Sequence, residues 1–286
     1  MITRRNAILF GTSAALLSPI SAQAEMSFSP TLILQNLKKS VWLSTNRSAQ
    51  RAVYVVAAPW CPFCEQLYKA QTQMAHDIDF RYVFMSFRQS GNAVVNAFFS
   101  NVEDQVGLFY SDRMARNPAL GSGSADWFGN INLVAGHRMA RDFRGLFVGT
   151  NAGSGSSAGF AYPTVVQKDQ QGQIAAILGA WLHLDAIVQT NGDLASDSPD
   201  TSRFAEIIRS APQLRSDRRN YFSTEADTPI FTAPMLSSAI VERLAAREGY
   251  SMSGALTFGG EEWLAAQAFT SGSAMVWAKK SDLYSR

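Results

Sequence analysis

The feature that most constrains this chain is a pair of cysteines, Cys61 and Cys64, placed between a predicted strand and a predicted helix. Residues Ala52 to Val56 are a short run of β-branched and aromatic side chains, which predicts a buried strand. Residues Gln66 to Ala75 contain neither Gly nor Pro and predict a helix. Pro62 suits the first helical position, where no backbone N–H is needed. The sequence therefore puts Cys61 at the entrance of a helix and Cys64 one turn inside it.

This position favours reactivity at Cys61. Free backbone N–H groups and the positive end of the helix dipole stabilise an anion there, so the Cys61 thiolate should be more populated than that of a free cysteine. Cys64 is placed to attack a mixed disulfide formed at Cys61. We therefore expect a redox-active pair.

A permanent disulfide and half of a zinc site are the competing interpretations. The chain has 2 cysteines in all, so no second pair exists to complete a four-thiolate zinc site. None of the three histidines, His76, His137 and His183, has ligand spacing to the cysteines. The redox interpretation is favoured, with no metal and no cofactor expected.

Length and charge limit the number of domains and the kinds of partner to be expected. At 286 residues the chain can bury one sizeable core with an appendage, or two small domains. Its 25 basic residues less Arg4 and Arg5 equal its 23 acidic residues, so the remainder of the chain is formally neutral. Charge gives no argument for nucleic acid or an anionic membrane as a partner.

Residues 1–24 have the pattern of a cleaved export signal. Arg4 and Arg5 form a basic region, Ala7 to Leu17 are mostly apolar, and Ala22-Gln23-Ala24 supplies a cleavage site. The apolar run is too short to span a bilayer. An ordinary secretory signal and a twin-arginine signal fit equally well. We expect a mature protein that begins near Glu25 in an oxidising compartment.

The rest of the chain predicts an alternation of strands and helices. Its successive parts are a short lead-in over 25–50, a strand over 80–87, a helical insertion over about 91–158, a strand over 160–167, a hairpin turn at 169–172, a strand over 173–178 and a helix over 181–190. The Gly- and Ser-rich stretch 149–159 lacks the ending of a phosphate-binding loop and is interpreted as a loop.

This order, with Trp60-Cys61-Pro62-Phe63-Cys64 and Tyr162-Pro163-Thr164, resembles the thioredoxin fold. It is most similar to the bacterial periplasmic disulfide-bond (Dsb) proteins, and among them to the disulfide isomerases. The resemblance covers roughly Ala52 to Thr190, about half of the chain. It implies an α/β thioredoxin-like domain over residues 51–193, interrupted by the helical insertion, and a periplasmic location.

The resemblance also implies roles for single residues. Cys61 would be the nucleophile, Cys64 the resolving cysteine and partner in a Cys61–Cys64 disulfide, and Pro163 the family's cis-proline beside that pair. The substrate-binding positions would be Trp60, Pro62, Phe63, Tyr162 and Thr164.

Three departures from the family pattern bear on the subgroup. Tyr162 stands where Thr or Val is usual, which puts substrate preference in doubt. Val55 stands six positions before Cys61, where thioredoxin and the periplasmic oxidase carry an acid. The isomerases also lack this acid, which favours that subgroup, but residues 25–50 are too short for their N-terminal dimerisation domain.

The expected function is exchange of disulfides with exported, cysteine-containing proteins, of isomerase or reductase type, with an unidentified partner that resets the cysteine pair. The alternatives are a monomeric dithiol oxidase, and a binding or chaperone module without significant redox turnover. No nucleic acid and no stable membrane span are expected.

The C-terminal stretch lies beyond the resemblance. After a linker over 191–202, apolar spacing predicts three helices: one ending near Pro212, one over Pro234 to Glu248, and one beginning at Glu261. Residues 203–286 are therefore expected to be a helical extension that packs on the first domain or on another subunit, so that a homodimer is possible.

Overall fold

The structure is a computed structural model that describes residues 30–74, 77–85, 90–112, 123–132, 134, 162–168, 171–178, 184–188, 201–268 and 274–285. The predicted export signal over 1–24, the Gly- and Ser-rich stretch 149–159 and residues 191–200 of the predicted linker lie outside the described residues. The described residues form a mixed α/β fold with several sheets.

The first half of the chain alternates helices and strands, as predicted from Ala52 onward, and its lead-in contains a helix that was not predicted. The elements are α1 (Pro30–Lys38), β1 (Arg51–Ala57), α2 (Pro62–Met74), β2 (Ile78–Phe84), α3 (Gly91–Phe99), α4 (Gln105–Ser111), α5 (residues 123–132), β3 (Thr164–Lys168), β4 (Ile174–Leu178) and α6 (Leu184–Val188). Pro62 is the first residue of α2, which confirms its predicted position.

These strands form one sheet in the order β2-β1-β3-β4. Strand β1 is parallel to β2 and antiparallel to β3, and β3 is antiparallel to β4. Every residue of β2 is buried. Since successive side chains of a strand point to opposite sides, both faces of the sheet are covered at this strand. Val53 and Val55 belong to the core on the side of α2, while Tyr54 and Val56 pack with the apolar face of α1.

The C-terminal region differs from the prediction. Within its described residues, one α-helix is followed by strands and a short 3-10 helix. After α7 (Thr201–Ser210) come β5 (Arg215–Ser216), β6 (Asn220–Ser223), β7 (Thr228–Phe231), β8 (Ile240–Leu244), β9 (Gly249–Ser251), β10 (Gly254–Phe258), β11 (Glu261–Gln267), β12 (Met275–Lys279), a short 3-10 helix (Lys280–Asp282) and β13 (Leu283–Ser285). The prediction of a helical C-terminal extension is therefore wrong.

The predicted helix beginning at Glu261 is strand β11 because the two residues before it form a hairpin turn. Gly259 and Gly260 have φ values of +59° and +78°, and β10 pairs with β11 on either side of them. A two-residue Gly-Gly connection is a strong hairpin signal, since both positions need positive φ. This signal outweighs the two acidic residues that resemble a helix start.

The predicted helix over Pro234–Glu248 is replaced by a loop and strand β8. Its supposed apolar stripe does not form, because Leu236 is 59% exposed. The Ser238 hydroxyl donates to the carbonyls of Ala233 and Met235, an arrangement that competes with a helix. The β-branched pair that follows begins β8, which pairs with β7.

The C-terminal strands form a six-stranded sheet in the order β5-β10-β11-β12-β7-β8 and a three-stranded sheet in the order β13-β6-β9. One face of the larger sheet, including Trp263 and Trp277, belongs to the same core as α5, α7 and the cysteine pair. Its other face packs with the smaller sheet through residues such as Leu264 and Tyr221. The extension thus buries its apolar faces within the chain.

Helix α5 joins three parts of the molecule. The ring of Trp127 stacks on Trp277 of β12, with centroids 5.2 Å apart. The Asn132 amide donates to the carbonyl of Val41 at 2.7 Å and accepts the Val41 N–H at 3.0 Å. The insertion is therefore fixed to both the N-terminal segment and the C-terminal sheet. None of the helices in the described residues is long and apolar enough to cross a membrane.

Candidate functional site

Cys61 and Cys64 lie where β1 leads into α2, at the predicted junction. The Cys61 N–H donates to the carbonyl of Ala58 at 3.0 Å, which closes the turn between strand and helix. The Cys61 carbonyl accepts the N–H of Glu65 at 3.4 Å, so the helical bonding pattern starts at Cys61. Because α2 begins at Pro62, Cys61 has the position where free N–H groups favour an anion.

The Cys61 sulfur makes polar contacts with two backbone groups at this junction. It accepts the backbone N–H of Cys64 at 3.4 Å, and its thiol donates to the carbonyl of Tyr162 at 3.7 Å. The pKa of Cys61 is lowered to about 6, mainly by a hydrogen bond from the Cys64 side chain. Burial acts in the opposite direction, and the backbone N–H groups of Cys64 and Phe63 lower the pKa further. Cys61 is therefore ionised more readily than an ordinary cysteine, and its contact with the Tyr162 carbonyl belongs to the protonated form.

Cys64 has the opposite character. Its side chain is fully buried, and burial, followed by the hydrogen bond to Cys61, raises the pKa of its thiol. The hydroxyl of Tyr82, from β2, donates to the Cys64 backbone carbonyl at 3.4 Å. The site therefore pairs a stabilised thiolate with a thiol that keeps its proton, which is the asymmetry needed for a nucleophile and a resolving group.

The Tyr162–Pro163 segment lies beside the cysteine pair, although it is about one hundred residues away in the sequence. Its peptide bond is cis, as predicted, and the Tyr162 carbonyl contacts Cys61. Thr164 begins β3 and pairs with Val56 of β1, so β3 holds this segment against the strand that leads to Cys61. The structure thus brings Pro163, Tyr162 and Thr164 next to the pair.

The other predicted substrate-binding residues lie around the opening of the site. Trp60 is 41% exposed and Phe63 is 44% exposed, and Pro62 is also exposed. Large apolar side chains are usually buried, so two exposed aromatic residues next to a reactive thiol form a surface suited to apolar segments of another molecule.

Both cysteines are free thiols in this structure, so the Cys61–Cys64 disulfide stays a prediction. Within the described residues, no group of three or more His, Cys, Asp or Glu side chains could hold a metal ion. Val55 is buried on β1 opposite Tyr82. The side chain six positions before Cys61 is therefore apolar and cannot accept a proton.

The sequence did not single out three residues near the pair: Tyr68, Tyr82 and Asp104. Tyr68 is four residues after Cys64 and therefore lies on the same face of α2, a signal that was available in the sequence. Tyr82 and Asp104 come from β2 and from the loop before α4, and no local pattern marks them.

Comparison of the sequence with protein-family models and with curated proteins gives no match to either.

Proposed function

We propose that this chain is an exported thiol–disulfide oxidoreductase that exchanges disulfides with protein substrates through Cys61. The observation that carries the proposal is the environment of the Cys61 sulfur. It accepts the Cys64 N–H at 3.4 Å and lies 3.7 Å from the Tyr162 carbonyl, at a helix entrance where its pKa is about 6. A low-pKa thiol with a second thiol one turn away is suited to disulfide exchange.

The exchange needs no other oxidant or reductant, because the two electrons that reduce the substrate disulfide come from the Cys61–Cys64 dithiol. The Cys61 thiolate attacks one sulfur of a substrate disulfide, forms a mixed disulfide and releases the other substrate sulfur as a thiolate. Cys64 then loses its proton and attacks the Cys61 sulfur. The bond from Cys61 to the substrate breaks, the second substrate thiolate leaves, and the pair is oxidised to the Cys61–Cys64 disulfide.

The sheet supports a thioredoxin-like interpretation of the first domain. Its order β2-β1-β3-β4, with a parallel β1–β2 pair, α2 after β1 and a cis-Pro segment before β3, agrees with the expected arrangement of such a domain. We further propose, from the resemblance of the cysteine and cis-Pro segments, that the chain is a Dsb-like protein of the bacterial periplasm with isomerase or reductase activity. The substrates would be exported proteins that contain cysteines, and a separate redox partner would reset the pair.

The test is turnover of a disulfide substrate by the full mature chain, followed with a reductant such as glutathione present. We expect catalysed reduction by the wild type and none by Cys61→Ser. Cys64→Ser should accumulate mixed disulfides that are visible on a non-reducing gel, because the resolving thiol is absent. No turnover and no trapped adduct would favour the alternative of a binding or chaperone module.

The reduction potential separates the reductase and isomerase functions from the oxidase function. A pKa of about 6 at Cys61 is higher than the value of about 3.5 found in the strongest oxidant of this type. We therefore expect equilibrium with glutathione at a potential between about −230 and −130 mV. A value at the oxidising end, with rapid oxidation of dithiol proteins, would favour the monomeric oxidase.

A further inference from the structure

The place of Cys64 is set by the first turn of helix α2. Its backbone N–H donates to the Cys61 sulfur at 3.4 Å, and this bond forms only while the turn keeps its orientation. The first N–H groups of a helix have no partner within the helix, and helix ends fray. The contacts that fasten the start of α2 to the rest of the molecule therefore bear on how the two cysteines meet.

Tyr82 of β2 fastens the first turn of α2 to the sheet. Its side chain is fully buried, and its hydroxyl donates to the backbone carbonyl of Cys64 at 3.4 Å. The backbone of Tyr82 is itself held firmly, because it pairs with Val55 of β1 and exchanges two hydrogen bonds with Leu43, at 2.8 Å and 3.1 Å. The hydroxyl that bonds to Cys64 thus projects from a fixed position in the sheet.

Tyr68 fastens the next turn of α2 to the start of α4. Its hydroxyl donates to Asp104 Oδ2 at 2.5 Å, and Asp104 Oδ1 caps α4 by accepting the N–H of Gly107 at 2.7 Å. A Cβ at position 107 would overlap both Asp104 and the Tyr68 hydroxyl, so this contact requires glycine there. Since Tyr68 follows Cys64 by one helical turn, its N–H bonds within α2 to the carbonyl that also accepts the Tyr82 hydroxyl.

Both phenols keep their protons in the pH range in which Cys61 ionises. Burial, followed by the charge that Tyr110 can carry, raises the pKa of Tyr82. Burial and then the hydrogen bond to Asp104 raise the pKa of Tyr68. The two hydroxyls therefore remain hydrogen-bond donors while the reactive thiol changes its charge.

We infer that Tyr82 and Tyr68 are positioning residues for Cys64, whose hydroxyls hold the first two turns of α2 so that Cys64 faces the Cys61 sulfur. This role rests on the proposed disulfide exchange, because it concerns the step in which Cys64 attacks the mixed disulfide. Both tyrosines act through the backbone of α2, and the bonds that form and break stay those between the sulfur atoms.

The first test is the pH profile of Cys61 alkylation by iodoacetamide, measured on the full mature chain in its reduced form. The hydrogen bond from the Cys64 side chain is the main cause of the low pKa of Cys61, so a displaced Cys64 stabilises the thiolate less. We expect Tyr82→Phe to move the midpoint of the profile upward and to slow alkylation near pH 6 at least about twofold. Tyr68→Phe should act in the same direction with a smaller effect.

The second test follows resolution directly with the aromatic disulfide dithiobis(nitrobenzoate), whose released thiolate absorbs visible light. The first burst of absorbance reports attack by Cys61, and the second reports attack by Cys64. At about pH 8, above the pKa of Cys61, the first phase should be the same in all variants. We expect Tyr82→Phe to slow the second phase roughly three- to tenfold, because a small misplacement of a reacting group lowers its rate.

The matched control is Tyr54→Phe, which removes one buried hydroxyl from the opposite face of the same sheet. Tyr54 lies on β1 and packs with α1, and its hydroxyl accepts a hydrogen bond from Arg81 at 3.0 Å. This substitution should lower the melting temperature, as Tyr82→Phe does. It should leave the alkylation midpoint and both absorbance phases at their wild-type values.

A wild-type midpoint and a wild-type second phase in Tyr82→Phe would overturn the positioning role and leave the proposed function intact. Equal changes in Tyr54→Phe would indicate a general loosening of the sheet and would also overturn it. If Tyr82→Phe does not fold, Tyr68→Phe decides, and wild-type behaviour of that variant contradicts the role. Absence of both absorbance phases in the wild type would instead refute the proposed function.

Discussion

The side chain of Asn130 bonds to both backbone groups of Met275. Its amide nitrogen donates to the Met275 carbonyl at 3.0 Å, and its amide oxygen accepts the Met275 N–H at 2.6 Å. Asn130 lies on helix α5 of the insertion, and Met275 is the first residue of β12. One amide side chain therefore attaches the insertion to the C-terminal sheet with two hydrogen bonds.

We expect Asn130→Ala to lower the free energy of unfolding by about 1–3 kcal/mol, because two partly buried backbone groups lose their partner. Chemical denaturation of the reduced protein measures this change. The control is Gln73→Ala on the exposed side of α2, which should change stability by less than about 0.5 kcal/mol. Equal effects of the two substitutions would show that the Asn130 amide contributes no specific stability.

The pKa of Cys61 predicts how fast the protein is alkylated. Because only the thiolate reacts, the rate of modification by iodoacetamide should rise as the pH passes about 6 and level off above it. Cys64→Ala should move this midpoint upward, since the Cys64 hydrogen bond is the main cause of the low pKa. A midpoint near the ordinary value of 9.0 in the wild type would contradict the thiolate assignment.

The same shift predicts the pH dependence of stability in the reduced protein. The folded-state pKa of Cys61, about 6, lies below its ordinary value of 9.0, so folding favours the thiolate. This contribution is complete above the unfolded pKa and is lost as the pH falls through the folded pKa. Between these limits, the wild type should gain stability relative to Cys61→Ser as the pH rises, in denaturant titrations of both proteins.

The turn between β10 and β11 predicts a backbone effect at Gly260. Its φ of +78° is unfavourable for most residues, although no atom lies within 4 Å of a Cβ placed there. Gly260→Ala should therefore destabilise the protein by about 1–2 kcal/mol through the backbone alone. Gly260→Asn should cost less, because Asn tolerates positive φ. Equal melting temperatures for both variants and the wild type would contradict the observed turn.

The buried ion pair on the other face of the first sheet is expected to be sensitive to loss of one partner. Arg81 Nε donates to Asp79 at 3.0 Å, and an Arg81 nitrogen also donates to the Tyr54 hydroxyl at 3.0 Å. Arg81→Met leaves a buried carboxylate without its cation and should cost about 3–5 kcal/mol. Arg215→Met, which breaks the exposed pair with Glu262, should cost less than about 1 kcal/mol.

Much of the first half of the chain could be predicted from local patterns. The apolar run of β1, the Gly- and Pro-free stretch of α2 and the second apolar run of β2 each fall where the sequence predicts them. In the C-terminal region the Gly259-Gly260 pair is a local signal for the β10–β11 hairpin, but other strands lack such a signal. The apolar residues over 236–244 have helical spacing, and only pairing with β7 makes part of that segment a strand.

The residues of the site also differ in how well local sequence patterns predict them. Cys61 and Cys64 are neighbours in sequence, so a strand, a helix start and a spacing were enough to find them. Asp104 accepts the Tyr68 hydroxyl only because Gly107 leaves room for this contact. Contacts of this kind depend on how separate elements pack, which composition and periodicity do not specify.

The two amide side chains of α5 have a consequence for the order in which the chain can fold. The Asn132–Val41 contact spans 91 residues and the Asn130–Met275 contact spans 145. Closing such long loops costs entropy before the contacts form, and proteins dominated by distant contacts fold slowly. During synthesis, α5 can bind Met275 only when the last strands exist. A chain that ends before β12 would leave Trp127 without the ring on which it stacks, as apolar surface open to proteases and to aggregation.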